Sequence, residues 1–493
     1  MGAKPPFPVA AIEKRRYHKM KQLEKLIDRV IARVNVNLRT FSFDAEPYAK
    51  DVVPFKQMLR FNAFYGVTSH HPLHVNFKNS SLAGSYFLGK CFTDNAVLYK
   101  TDVRGDELKR KGDTMLFQGA EVPVEKDEEI HIKDSYLIKA LIHNYSHDPE
   151  APEEFLIRNT IASFYSNIHG APVEGCYIAP FATVDLTSLH GCKVGTFAFV
   201  QSATDLYHEE IPDGTIWING GTFEFKYTYD PEVLARYIKN VPGGKPEGVL
   251  WDFMEDRKGD YSDIYSSAVS TTPVTVSSKS ALNRYAYVAG DTHIHENVLV
   301  SQRAYLDNAW MGPGTNAQEH SYVINSMLEK NDVTAHGAKI INANLSERVF
   351  VGFNSFINGK PGMPVSIGAG SMVMPHTIID VEEPLTIPER HAVWGYIRNA
   401  DDLKNHSISL DDLSEVTGEV TLGNLTFSGS GYDLVHAFEH RIDHILEANG
   451  AFFGDVSKVR GHAQAGHMIS FNTLQPYLTG KSKGIFPTID IQP

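Results

Sequence analysis

The chain has 493 residues, 42% apolar and 21% charged, a balance that suits a folded protein and argues against disorder along its whole length. Lys and Arg number 46 against 59 Asp and Glu, a net charge of −13, which argues against a non-specific grip on nucleic acid or an anionic membrane surface. No apolar run reaches the ~18 residues needed to span a bilayer. The opening MGAKPPFPVAAIEKRRYHKMKQ has no signal-peptide pattern, and three cysteines (Cys91, Cys176, Cys192) make no disulfide framework, so a cytoplasmic setting is expected. Histidine is abundant, at 22 residues.

In chain order, residues 1–64 read as a lead-in. Ile12, Met20, Leu23, Ile27, Val30 and Val34 recur at helical spacing with basic residues between them, which predicts an amphipathic helix over 11–35. From 65 to 203 a six-residue rhythm emerges, with aliphatics at Leu82 and Leu88, Ile178 and Val184, and Val194 and Val200. Residues 204–285 interrupt it with a helix beginning at Pro231 and a Ser/Thr-rich run at 266–280.

The rhythm is clearest over 286–400. Val288, Ile294, Val300 and Leu306 form one run and Met311, Ala317 and Val323 a shifted one; Leu345, Val351 and Ile357, then Ile367, Val373 and Ile379, follow. Gly312, Gly352 and Gly368 each come directly after the aliphatic, as a tight corner would require. Hexads of this kind predict a mainly β fold, a left-handed parallel β-helix with coils of about eighteen residues and inward-stacked aliphatics. Residues 401–493 form a helical extension, with a helix over Tyr432–Asn449 ended by Gly450.

The segment 301–373 resembles the gamma-class carbonic anhydrases and their hexapeptide relatives. Arg303 and Asp307 precede a Met-Gly turn, followed by Thr315-Asn316-Ala317-Gln318-Glu319, then Val333-Thr-Ala-His336-Gly-Ala and Val351-Gly-Phe-Asn-Ser-Phe-Ile-Asn-Gly. The resemblance implies an Arg303–Asp307 ion pair and a zinc or iron centre on three histidines. His336 matches one of these, with His320 as a substitute; Ile324 and Ile341 stand where the other two are expected. Val103-Arg-Gly-Asp106 lacks the accompanying motif and is read as a turn.

Ala335-His336-Gly337 is also similar to the histidine segment of UDP-N-acetylglucosamine acyltransferase, and Ile387-Pro-Glu-Arg-His391 to the ends of such transferases. That resemblance implies acyl transfer from a coenzyme A thioester to a small polar acceptor, with His336 as general base. Gln318 and Glu319, one coil earlier, would orient the imidazole or the substrate, and Arg303, Asp307, Asn316, His320 and Asn342 would bind it. The relatives imply a homotrimer with sites between subunits. The alternatives are a metal-dependent lyase with altered ligands and a non-catalytic structural trimer. His436, His440 and His444 share a helical face, as solvated or contact residues, and His293 and His295 flank an inward Ile294.

Overall fold

The six-residue step between aliphatics becomes a stack of short strands in a computed structural model, which describes residues 9–59, 62–68, 71, 74–117, 120–146, 154–266, 274–452, 461–466 and 469–474. Two β-helices stand side by side. In the first, Asp102–Arg104, Leu141–His143, Asn167–His169, Thr183–Asp185 and Phe199–Ser202 stack in parallel, each residue over its equivalent in the next coil. The central residues Val103, Ile142, Ile168, Val184 and Val200 are fully buried. Cys176 and Cys192 stack inside the same core. Strands at Leu206–Tyr207, Glu210–Ile211 and Thr215–Asn219 add to the stack, beyond the boundary expected at 203.

The coils are shorter than eighteen residues. In the first β-helix Asn167 pairs with Thr183 and Thr183 with Phe199, a repeat of 16. In the second, Tyr305 pairs with Tyr322, Tyr322 with Lys339 and Lys339 with Phe356, a repeat of 17. A coil of 17 therefore takes one step of five, as from Leu306 to Met311 and from Val323 to Leu328, and a coil of 16 takes two, as from Val184 to Leu189 and Leu189 to Val194, all fully buried. This shorter step is why the run from Met311 is shifted in the sequence.

The glycines after the inward aliphatics serve a close approach rather than a left-handed turn. A Cβ on Gly312 would run into the carbonyl of Glu329, and one on Gly352 into the backbone of Pro375. The left-handed corners fall instead at Arg303, His320, Gly337, Asn354 and His376, with φ between 51° and 73°. This column of corner residues leans against the first β-helix: Arg303 and His320 reach Asp102, while Asn354 and His376 reach Thr183.

Both β-helices have their own aliphatic interior, and a third apolar cluster joins them. The helix Val9–Asn37 buries Leu23, Leu26, Val30 and Val34 in that third cluster, and the helix Gly431–Asn449 adds Leu434, Phe438, Ile442 and Leu446. Each such side chain contributes about 1.5–3 kcal/mol of burial. Gly450 ends the latter helix in a left-handed cap, φ 84°. Antiparallel strands finish the long sheet of the first β-helix at both ends: Ser470–Leu474 pairs with Ala63–Val67, and Leu425–Gly429 pairs with Phe223–Thr228. The sheet therefore ends on antiparallel strands instead of on the stacked coils. No helix among the described residues is long and apolar enough to cross a membrane.

Candidate functional site

The residue after each inward aliphatic in the long sheet points outward, towards the second β-helix. At successive coils this column reads Arg104, His143, His169, Asp185. Opposite it, Glu319 and His336 precede the left-handed corners of the second β-helix. The two columns meet in a buried polar seam.

Three imidazoles converge there. One ring nitrogen from each of His143, His169 and His336 lies within 4.8 Å of one from the others, and all three residues are buried. His143 Nδ1 is 3.4 Å from His336 Nε2. Each ring is backed by a carboxylate: His169 Nδ1 lies 2.8 Å from Asp185 Oδ1, His336 Nδ1 3.0 Å from Glu319 Oε2, and His143 Nε2 3.7 Å from Glu107 Oε1.

The carboxylates are held ionised. Burial opposes the charge of Asp185, but Arg441 donates two hydrogen bonds to it (2.6 and 2.9 Å) and, with His169, keeps its pKa below the usual carboxylate range. Burial likewise opposes the charge of Glu319, and Arg104, which donates to it at 2.8 Å, with His336, pulls its pKa well down. An ionised carboxylate only accepts, so the nitrogen that faces it, Nδ1 of His169 and of His336, carries a proton, and Nε2 is the ring atom of each that could bind an ion. Burial, then the charge of Arg104, pushes the pKa of His143 well below the ordinary histidine value. Burial also lowers that of His336, against the pull of Glu319.

This donor set fits a divalent metal. Neutral imidazoles, each oriented by a carboxylate, are the ligands such ions take, and imidazole suits zinc and iron. Two nitrogens at 3.4 Å match the separation of about 3.3 Å between neighbouring ligands of a tetrahedral ion at ~2.05 Å.

The two histidines that meet His336 stand on the other β-helix, and not at positions 324 and 341. Ile324 and Ile341 follow the inward Val323 and Ile340 as His143 and His169 follow Ile142 and Ile168, but they join the apolar cluster. Val103-Arg-Gly-Asp106, read from sequence as a turn, sits at the centre of the seam. Arg104 donates to Asp106 (2.5 and 2.9 Å) and approaches Glu107 at 3.4 Å, and His462 closes this group at 2.9 Å from Glu107. Asp106, Glu107 and His462 form a second cluster of metal-binding types, in which Arg104 already supplies the positive charge.

Of the other expected site residues, His320 stands 2.7 Å from Asp102 at the edge of the seam. Arg303 makes its ion pair with Asp102 at 2.6 Å and not with Asp307. Asn316 is buried and holds the backbone of Thr334 through Oδ1. Gln318 is buried beside Glu319. Asn342 is a left-handed corner that donates to the carbonyl of Gly359. His293 and His295 pack on Trp310, and the exposed row His436, His440 and His444 belongs to no metal-binding cluster among the described residues.

A profile described as "Hexapeptide repeat including loop" matches residues 120–242. The crystal structure of a "putative acetyltransferase" from Desulfovibrio desulfuricans G20 is 51% identical, with a TM-score of 0.85, over 96% of this chain and 99% of that one. A "putative acetyltransferase" from Bacillus cereus, 13% identical over 33% of this chain and 89% of its own, has a TM-score of only 0.18 and carries no argument. No curated protein matches the chain. The chain belongs to the hexapeptide-repeat transferase superfamily and has its left-handed β-helix fold.

Proposed function

We propose that the chain is a hexapeptide-repeat enzyme whose centre is a divalent metal site on His143, His169 and His336. The observation that carries this reading is the convergence of three buried imidazoles, each with a carboxylate behind it. The ion would supply Lewis-acid activation of water or of a substrate carbonyl, the chemistry of a hydratase or hydrolase. The chain's own residues fix the tautomers: Asp185 and Glu319 hold the protons on Nδ1 of His169 and His336, and Arg441 and Arg104 hold those carboxylates in place. Glu107, between His143 and His462, is a carboxylate placed to accept a proton at the rim.

The second reading is acyl transfer from a coenzyme A thioester to a small polar acceptor. It is supported by the description of the 51% identical relative. In this reading His336 Nε2 is the base and Glu319 orients the ring.

Elemental analysis of protein purified without chelators or metal-affinity resin separates the two. One equivalent of zinc or iron per chain, lost in His336→Ala, is the expected result. Metal-free protein that turns over coenzyme A thioesters, and stops doing so in His336→Ala, would establish the second reading.

A further inference from the structure

Beside the histidine centre, the same seam holds a cavity of about 190 Å³. Its walls carry Lys100, Lys139, Lys258, Arg303 and His320 and no carboxylate. Two carboxylates lie behind the walls. Glu255 pairs with Lys139 and Lys258, each at 2.6 Å, and Asp102 with Arg303 at 2.6 Å and His320 at 2.7 Å. Lys100 has no carboxylate partner among the described residues. Four full cations therefore share two anions, and the cavity is left with an excess of positive charge.

That excess acts on the lysines. Lys100 is an exposed residue, yet desolvation of its ammonium where it lines the cavity, with the charges of Lys139 and Arg303, lowers its pKa to about 8. Burial lowers that of Lys139 as well, against the pull of Glu255. Like charges crowded in a partly dry pocket cost free energy that an incoming anion relieves. The remaining wall is aromatic: Tyr261, Tyr265 and Tyr322 line it, Tyr265 stacks on Tyr285 at 4.8 Å, and Arg303 lies 4.5 Å from the ring of Tyr265. Ammonium groups are point charges that suit a tetrahedral phosphate, whereas a planar carboxylate is matched by the fork of an arginine, here already engaged by Asp102.

We infer that this cavity is a binding site for a small phosphate monoester with a flat body, the phosphate between Lys100, Lys139 and Lys258 and the body against the tyrosines. If the metal reading holds, this is the substrate class of the adjoining centre. Asp102, at the cavity, and Arg104, at the seam, are two residues apart on one strand and so about 7 Å apart.

Calorimetric titration of the full chain with phenyl phosphate tests it. Saturable binding is expected, at least ten-fold weaker in Lys100→Ala and in Lys258→Ala, both with unchanged melting temperatures in the absence of ligand. Phenol and phthalate are expected to bind at least ten-fold more weakly than phenyl phosphate. Binding by His336→Ala as by the wild type would separate this site from the metal centre, so it stands even if that reading falls. Absence of saturable binding, equal binding of phenol or phthalate, indifference to the lysine substitutions, or loss of binding in His336→Ala would each overturn it.

Discussion

His143 Nδ1 and His336 Nε2 are 193 residues apart in the chain and 3.4 Å apart in space, across the seam between two β-helices. Neither β-helix contains the centre alone, because His143 and His169 come from one and His336 from the other. Replacing any of the three with alanine should abolish stoichiometric metal binding, read by elemental analysis. Asp185→Asn keeps all three ligands and loosens only the ring of His169. It should weaken metal binding about 10–100-fold, read by competition with a chelator.

Because all three imidazoles belong to one chain, metal content per chain should be constant across protein concentrations that change the oligomeric state. Sedimentation combined with elemental analysis checks this. Metal lost in step with dissociation would show that a second copy completes the site.

Arg441 reaches from the C-terminal helix to the fully buried Asp185. Arg441→Met should destabilise the fold by roughly 3 kcal/mol in urea unfolding at pH 7, since it leaves a buried carboxylate without its cation. The pH dependence has a definite sign. The folded pKa of Asp185 lies below the unfolded value of about 3.9, so its contribution is present above about pH 4 and is lost as the pH falls through the folded value. The variant should lose part of that acid-dependent slope.

Lys339 is buried, with the carbonyl of Gly337 as acceptor and the ring of Phe181 5.2 Å away. Burial lowers its pKa to about 7. Between about pH 7 and the unfolded value of about 10.4 the unfolded chain binds the extra proton, so stability rises with pH across this window. Lys339→Met, of similar volume, should be more stable at pH 7 by about 1–3 kcal/mol and should flatten the rise, measured by urea unfolding at pH 7 and pH 9.

Gly312→Ala should cost about 2 kcal/mol or more, because the added methyl meets the carbonyl of Glu329 in the next coil and the backbone must shift. Thermal unfolding reads this directly. An unchanged melting temperature would show that the coils have slack at that corner.

The β-helix was legible because an inward aliphatic every five or six residues is a local signal that survives insertions. The site was less so. Glu319 beside His336 could be anticipated, since one coil separates them in one stack. His143 and His169 could not be ranked above other histidines from spacing alone, because 26 residues separate them where the coil needs 16. Their one signal was positional: each directly follows an inward isoleucine, as Arg104 and Asp185 follow inward valines. Arg104-Gly-Asp106 reads as a turn because no Thr-Asn-x-Gln motif follows it at a suitable distance; its partner Glu319 lies 215 residues on, across the seam. Arg441 carried no signal, since its partner is fixed only when the terminal helix docks.

A homo-oligomer must repeat at every interface whatever it builds at one. A chain that carries both of its β-helices is free of that constraint. Ile324 and Ile341 occupy the strand positions where the other β-helix has His143 and His169. At this position the first β-helix presents imidazoles and the second presents apolar side chains. Two β-helices in one chain thus permit a division of labour between equivalent strand positions: those of the first meet His336 across the seam, and those of the second join the apolar cluster that binds the two together.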